Sequence, residues 1–248
     1  MVADVKNGYR LLLFCLIAVL LCSLCACAPS DTDVFDSTDR VPTSDTESAN
    51  ESEGAPSEVT TEEAPTPPAD LEELNLVRMH VTYTDGSGKA CAGDIIIQLC
   101  PDKAPLTVKN FKRLVSEGFY NGLTFHRVAK GFIIQGGDPK GNGTGTVGPI
   151  RGEFAANGIQ NDLSHTRGVI SMARLGSDYD SGSCQFFIVH ETSEKNTAAL
   201  DGLYAAFGYV IQGIEHVDGI ASTEVKSSNK RPIHTVTIVS ATLEAELQ

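Results

Sequence analysis

The chain has 248 residues and a formal net charge of −13 at pH 7, with 32 acidic side chains against 19 lysines and arginines. The sequence has no basic stripe, so nothing in it supports a nucleic-acid-binding protein that works by neutralising phosphates. The six histidines show no HExxH spacing, and the seven cysteines show no pair of CxxC motifs. We therefore predict neither a metal site nor any other cofactor.

The first 27 residues have the pattern of a lipoprotein-type signal peptide. Lys6 and Arg10 precede a continuous apolar run at 11–21, which is short for a membrane span of about 20 residues. The run is followed by the segment LCAC at 24–27, with a leucine three positions before Cys27 and a small residue next to it. We predict that Cys27 is the lipidated first residue of the mature protein, and an uncleaved membrane anchor is the alternative. Both interpretations place the rest of the chain at the extracytoplasmic face of a bacterial cell membrane.

Residues 28–70 form a segment of different composition, rich in serine, threonine, proline and acidic residues. The segment holds 12 acidic residues and one basic residue, Arg40, so it carries most of the net charge of the chain. A segment with almost nothing to bury stays disordered, and we interpret this one as a tether. The acidity of the whole chain therefore says little about the substrate of the region that follows.

Residues 71–248 are long enough for one domain with a sizeable core. Helices are predicted at 105–118, where Thr107 can cap the start and Gly118 the end, and at 213–221. Alternating apolar residues and turn signals predict strands at 77–84, 94–99, 123–129, 131–135, 168–173, 185–190, 206–212 and 233–243. This pattern predicts a mainly β fold, a closed antiparallel eight-stranded β-barrel capped by two helices.

The stretch FHRVAKGFIIQGGD, residues 125–138, places one arginine among apolar residues. Alternation predicts that Arg127 shares a face with Phe125, and that Phe132 shares a face with Ile134 on the next strand. An arginine in such a pattern is costly unless its guanidinium has a polar target. We therefore predict that Arg127 rises from an apolar surface that suits an apolar ring beside a polarised carbonyl. A surface arginine whose stem covers core residues is the alternative.

Five motifs in chain order resemble those of a cyclophilin-type peptidyl-prolyl isomerase. The resemblance covers the chain from about Val77 to the C-terminus, and with the N-terminal pattern it indicates a bacterial lipoprotein-like form. It implies the cyclophilin-like barrel, in agreement with the predicted fold, and an activity that rotates X–Pro bonds. The motifs are FHRVAKGFIIQGGD (125–138), GNGTG (141–145), GVISMAR (168–174), QFFIVH (185–190) and LDGLYAAFGYV (200–210).

The resemblance also implies a site for proline-containing polypeptides. It places Arg127, Phe132 and Gln135 at the catalytic positions, with Arg127 as the donor to the twisted amide. The implied contacts are apolar around the proline ring, and Ala173 and Arg174 would offer backbone groups to the extended peptide. The implied substrate-binding residues are Ile133, Gly143, Ala173, Arg174, Gln185, Phe187, Leu200 and Tyr204.

Two departures from the family pattern concern the rim of this site. Ala199 stands where many cyclophilins have a tryptophan, and Tyr204 stands where a histidine is common. Both substitutions are compatible with the reaction. From the resemblance and the N-terminal pattern together, we expect a monomeric, lipid-anchored isomerase that assists the folding of secreted or surface proteins. The competing interpretation is a binding module whose groove holds proline-bearing peptides with only incidental turnover.

Overall fold

The computed structural model of the protein describes Leu71 and residues 73–246. The predicted signal peptide with its Cys27, and the predicted tether at 28–70, lie outside these residues. Over the stretch that is described, no helix has both the length and the apolar character needed to span a membrane.

The strands predicted from the sequence all occur, and the described part of the chain has three α-helices rather than two. The strands are β1 Leu76–Thr84, β2 Ala90–Leu99, β3 Phe125–Ala129, β4 Ile133–Gly136, β5 Val169–Met172, β6 Phe186–Val189, β7 Ala206–Gln212 and β8 Thr237–Glu244. The helices are α1 Pro105–Ser116, α2 Glu194–Leu200 and α3 Ile214–Ser222.

Helix α2 is the element that the sequence pattern does not predict. Its start is capped by Ser193, whose hydroxyl accepts a hydrogen bond of 3.1 Å from the backbone N–H of Asn196. The helix has only 7 residues, too few for a helical apolar pattern to stand out. Ala199, at the position of the missing tryptophan, lies in its last turn.

The eight strands form one curled antiparallel sheet in the order β3-β4-β6-β5-β7-β2-β1-β8. The sheet is an open half-barrel, so the prediction of a closed barrel is wrong. Its edge strands, β3 and β8, are linked only near Thr124, which forms an isolated bridge with Thr237. Farther along β3 the backbone turns to another partner, because the N–H of Val128 donates to the carbonyl of Lys230 at 2.9 Å.

The sheet carries apolar residues on both of its faces, in two separate clusters. The main core contains Phe111 of α1, whose ring lies 5.6 Å from that of Phe186 and 5.0 Å from that of Phe207. Phe187 belongs to the other cluster, which confirms that alternation puts the two neighbouring phenylalanines on opposite faces. The second cluster consists of Ile133, Val169, Ala173, Phe187, Val189, Leu200, Tyr204 and Ala206.

Helix α1 is capped by a residue that lies far away in the sequence. Thr107, predicted as the cap, donates its hydroxyl to the carboxylate of Glu153 at 2.7 Å. The same carboxylate accepts the backbone N–H groups of Leu106 at 3.0 Å and Thr107 at 2.8 Å. The helix ends at Ser116, and Gly118 follows with a φ of +67°, in the region that favours glycine. The predicted end is therefore confirmed to within two residues, and the predicted cap is wrong.

Candidate active site

The residues around Arg127 form a row that crosses four neighbouring strands. Arg127 on β3 is paired with Gln135 on β4, and Gln135 is paired with Phe187 on β6. Phe187 is in turn paired with Ser171 on β5. Residues directly opposite each other in antiparallel strands lie on the same face. A guanidinium, an amide, an aromatic ring and a hydroxyl therefore belong to the face that carries the second cluster.

Phe125 and Arg127 do not share a face as alternation predicted. The register between β3 and β4 shifts between these two residues, which marks a β-bulge that inserts one extra residue into β3. Phe125 consequently packs in the main core, with its ring 5.8 Å from that of Phe186. Phe132 and Ile134 also separate, because Phe132 lies in the turn before β4 and contacts the second cluster. The bulge is what allows Arg127 to leave the core side.

The predicted proline pocket is assembled within the second cluster. Ile133, Phe187 and Leu200 are each fully buried, and Phe132 is half-buried against them. Tyr204 is 4% exposed and meets the edge of the Phe187 ring at 5.7 Å. Arg127 is half-buried on the same face. The structure thus joins a cationic side chain to an aromatic and aliphatic surface of the kind that accommodates a pyrrolidine ring.

A chain of amide side chains forms the polar side of the site. Gln135 donates its Nε2 hydrogen to Oε1 of Gln185 at 3.1 Å. Gln185 donates in turn to the carbonyls of Gly143 at 3.1 Å and Gly145 at 2.8 Å. These bonds tie the GNGTG loop to β4 and β6. The predicted neighbours Gln135, Gln185 and Gly143 are therefore brought together.

The GNGTG loop is also held from the other side by Asp138. This carboxylate is 1% exposed and accepts the backbone N–H groups of Lys140 at 2.8 Å, Asn142 at 2.9 Å and Gly143. Burial disfavours its ionised form, but the three donors outweigh burial, so the pKa of Asp138 lies below its ordinary value. The loop at the edge of the site is thus preorganised by a buried anion.

The backbone N–H of Ala173 and the side chain of Arg174 have partners within the protein. The N–H of Ala173 is used within the protein, because it donates to the carbonyl of Gln185 at 2.9 Å. The side chain of Arg174 donates to the carbonyl of Leu203 at 3.0 Å. Its guanidinium carbon also lies 4.5 Å from the ring centre of Tyr204, with two further rings, those of Tyr179 and Phe154, at 4.8 and 5.3 Å. No local pattern predicts this stack, because Phe154 and Tyr204 are distant in the sequence from the β5–β6 connection that holds Arg174 and Tyr179.

His126, the residue between the core phenylalanine and the arginine, is 7% exposed. Burial is the main cause that lowers its pKa to about 4; the charge of Asp138 opposes this change and that of Arg127 contributes to it. The imidazole is therefore neutral near pH 7. In the part of the chain that the structure describes, no three His, Cys, Asp or Glu side chains come together as a possible metal site.

We expect the free energy of unfolding to decrease as the pH falls from 6.5 towards 4. Unfolded His126 takes up a proton near its ordinary pKa of 6.5, whereas the folded group does so only near about 4. Acid therefore favours the unfolded chain across this window, by roughly 3 kcal/mol at ~1.4 kcal/mol per pKa unit. The measurement is urea unfolding at several pH values between 7.5 and 4.5.

The variant His126→Gln should have a shallower dependence on pH than the wild type. Some dependence should remain, because burial also lowers the pKa of His165 against the opposing effect of Asp201. His234→Gln, at an exposed histidine, is the matched control. An unchanged slope in the His126 variant would contradict this assignment.

Comparison with known proteins places these residues in context. The family model "cyclophilin type peptidyl-prolyl cis-trans isomerase/CLD" matches residues 80–243. The chain is 44% identical over 132 residues to peptidyl-prolyl cis-trans isomerase B of Bacillus subtilis. This alignment covers 53% of this chain and 85% of that protein.

Solved structures agree with this match. The fold is similar to a cyclophilin type peptidyl-prolyl cis-trans isomerase of Cryptosporidium parvum, with a TM-score of 0.60 and 28% identity, over 70% of this chain and 99% of that one. A second structure of that protein, obtained in the presence of the dipeptide Ala-Pro, matches with a TM-score of 0.58 and 28% identity, over 69% of this chain and 99% of the other. The residues matched by the family model include all eight strands of the sheet, apart from the first residues of β1 and the last residue of β8.

Proposed function

This chain belongs to the cyclophilin-type peptidyl-prolyl cis-trans isomerase family and is an enzyme of that type, and we propose which of its residues carry the reaction. Arg127, Phe132 and Gln135 are the catalytic residues, and the second cluster with its polar neighbours binds the substrate. The single observation that carries this proposal is the row from Arg127 through Gln135 to Phe187 on one face of the sheet.

The proposed mechanism lowers the barrier to rotation about the X–Pro amide. That barrier is ~18–20 kcal/mol, because the C–N bond has partial double-bond character, and uncatalysed exchange takes tens to hundreds of seconds. As the amide twists, its nitrogen becomes pyramidal and a better hydrogen-bond acceptor. The Arg127 guanidinium donates to this twisted state and stabilises it electrostatically in a water-poor site. The reaction needs no nucleophile and no proton transfer.

The remaining residues hold the two ends of the substrate. The proline ring lies against Phe132, over an apolar floor of Ile133, Phe187 and Leu200 that contributes no competing hydrogen bonds. The peptide backbone binds along Gln135. Because the N–H of Ala173 is already bonded within the protein, its carbonyl is the backbone group that Ala173 offers to the peptide. The GNGTG loop with Gly143 and Gln185 forms one flank that contacts residues next to the proline, and Arg174, supported by Tyr204 beneath it, forms the other.

The substrate class is a polypeptide with an X–Pro bond, and Ala–Pro is a suitable first test because the Cryptosporidium parvum relative was crystallised with that dipeptide. The full-length chain, purified in detergent, should accelerate cis–trans exchange of an Ala–Pro tetrapeptide, measured by NMR exchange spectroscopy. Peptide binding without accelerated exchange would indicate a binding module, and the assignment of catalytic residues would fail.

We further propose that the enzyme is a lipid-anchored monomer at the extracytoplasmic face of a bacterial membrane, where it assists the folding of secreted or surface proteins. The support for the anchor and the location is the N-terminal pattern: a basic start, a short apolar run and the LCAC segment at 24–27. The acidic segment at 28–70 would then separate the catalytic domain from the membrane.

We expect mass spectrometry of the membrane-extracted protein to find a mature form that begins at lipid-modified Cys27. Cys27→Ser should abolish the modification and release the protein from the anchored state, because the thiol is the atom that carries the lipid. Cys25→Ser removes the neighbouring thiol and is the matched control. A chain that retains Met1, or a lipid on another cysteine, would contradict the prediction.

A further inference from the structure

A chain of hydrogen-bonded side chains lies beside the pocket aromatic Phe187. The imidazole of His165 is 1% exposed and connects two partners. Its Nδ1 lies 2.8 Å from Oδ1 of Asp201, and its Nε2 lies 2.9 Å from Oγ of Ser171. Neither His165 nor Asp201 has a part in the proposed reaction, although Asp201 belongs to the LDG motif.

Asp201 is fixed in place by further donors. Its Oδ1 also accepts the backbone N–H of His165 at 2.7 Å, and its Oδ2 accepts the hydroxyl of Ser164 at 2.7 Å. Burial opposes the ionised form, but these donors outweigh burial and lower the pKa of Asp201. The residue is therefore a carboxylate at neutral pH, and it can only accept hydrogen bonds.

The carboxylate determines which nitrogen of His165 carries the proton. Because Asp201 accepts, Nδ1 must be the protonated nitrogen. Burial keeps the pKa of His165 below its ordinary value despite the opposing effect of Asp201, so the ring is neutral and Nε2 has a free lone pair. Ser171 consequently donates its hydroxyl hydrogen to Nε2. One tautomer and one hydroxyl orientation satisfy all three side chains.

The hydrogen-bonded group of Asp201, His165 and Ser171 is in contact with Phe187 at two places. The His165 ring is stacked on the Phe187 ring, with centroids 6.0 Å apart and planes 19° apart. Ser171 is the residue directly opposite Phe187 in the pairing of β5 with β6. On another side the ring of Tyr204 meets Phe187 edge-on at 5.7 Å and 83°. The orientation of the Phe187 ring therefore depends on the position of the imidazole.

We propose that His165 is a positioning residue of the isomerase: its neutral imidazole, held by Asp201 and Ser171, keeps the Phe187 ring at the angle that the proline pocket requires. His165 acts through Phe187 and does not touch the substrate. This inference rests on the proposed function only in taking Phe187 as a wall of the proline pocket. In this proposal Asp201, the aspartate of the LDG sequence at 200–202, selects the tautomer of His165.

The test uses two substitutions that each keep one half of the imidazole's hydrogen bonding. His165→Asn places an amide near the position of Nδ1 and keeps a donor for Asp201. His165→Gln places an amide near Nε2 and keeps an acceptor for Ser171. Neither has a ring to stack on Phe187, so both should lower kcat/KM for an X–Pro peptide by roughly ten- to a hundredfold. His216→Asn, which removes a hydrogen-bonded histidine beside Tyr83, should leave kcat/KM unchanged.

NMR readings on the full-length chain separate a positioning role from a merely structural one. In the wild type, the 15N shifts of His165 should show a protonated Nδ1 and an unprotonated Nε2, and Asp201→Asn should change this pattern. The 13C and 1H signals of the Phe187 ring should shift or broaden in both His165 variants. These signals require no turnover, so they test the inference independently of the catalytic assignment.

Ser171→Ala keeps the proposal testable if the His165 variants do not fold. It deletes one hydroxyl, and it should shift the 15N signal of Nε2 and the ring signals of Phe187. A protonated Nε2 in the wild type would overturn the proposal, as would unchanged Phe187 signals in folded variants. If His165→Asn retains wild-type kcat/KM while Arg127→Ala is inactive, this inference fails and the proposed function stands. If Arg127→Ala retains activity, the catalytic assignment fails instead.

Discussion

Replacing Arg127 by alanine should lower kcat/KM for an X–Pro peptide by ~10²–10³ while the domain remains folded. The guanidinium is the cationic end of the row that crosses Gln135 and Phe187. A preorganised charged donor beside an apolar, water-poor surface stabilises the twisted amide more strongly than water does. Because Arg127 is only half-buried and lies outside the main core, its truncation should leave the packing of the sheet largely unchanged.

Two further substitutions make this result specific. Arg127→Lys keeps the positive charge but loses the planar fork of donors, so it should recover only part of the activity. Arg113→Ala removes an arginine on α1 that pairs with Glu117 at 2.9 Å, and it should leave turnover unchanged. Circular dichroism and thermal unfolding would establish that each variant is folded. A folded Arg127→Ala enzyme with near-normal activity would refute the catalytic assignment.

Replacing Glu153 by alanine should destabilise the domain by roughly 2–4 kcal/mol. The side chain is buried, and its carboxylate accepts the N–H groups of Leu106 and Thr107 and the hydroxyl of Thr107. Ala104, which precedes the helix, provides no side-chain cap. Removing the carboxylate therefore leaves the first turn of α1 with donors that have lost their acceptor in a buried place. The melting temperature should fall by roughly 5–15 °C.

The stability measurement needs a substitution that changes charge but not shape. Glu153→Gln keeps one acceptor oxygen and turns the other into a donor that faces N–H groups, so a substantial part of the loss should remain. Glu117→Gln, at the exposed residue that follows the same helix, should change stability little. Urea and thermal unfolding of the full-length chain measure both effects. A wild-type melting temperature in Glu153→Ala would show that the cap contributes nothing.

The residues of the site divide into those that meet the peptide and those that support them. Phe132 and Arg127 are half-buried at the surface of the second cluster, whereas Ile133, Phe187 and Leu200 lie fully covered beneath it. Tyr204 is covered as well, between the guanidinium of Arg174 and the edge of Phe187. We therefore expect the departure from histidine at this position to act mainly on the support of the pocket rather than on direct contact with the peptide.

Much of this protein follows from its sequence alone. The eight strands, the helices α1 and α3 and the opposite faces of Phe186 and Phe187 were predicted, because each depends on the spacing of apolar residues along a short stretch of chain. The motif order pointed to the family, and three residues of the implied site, Gln135, Gln185 and Gly143, lie in one chain of hydrogen bonds.

Other features were decided by contacts between distant parts of the chain. Alternation placed Phe125 on the same face as Arg127, but the bulge in β3 separates them, and a bulge is defined only by the register with β4. The cap of α1 comes from Glu153, which lies 46 residues beyond Thr107. Whether β3 meets β8 in a closed barrel depends on how far the two edges run together, and here they are joined only by the backbone contacts of residues 122–125 with 236–238. Periodicity in the sequence reports the local conformation of each strand, whereas register, capping partners and edge contacts arise only when the elements pack.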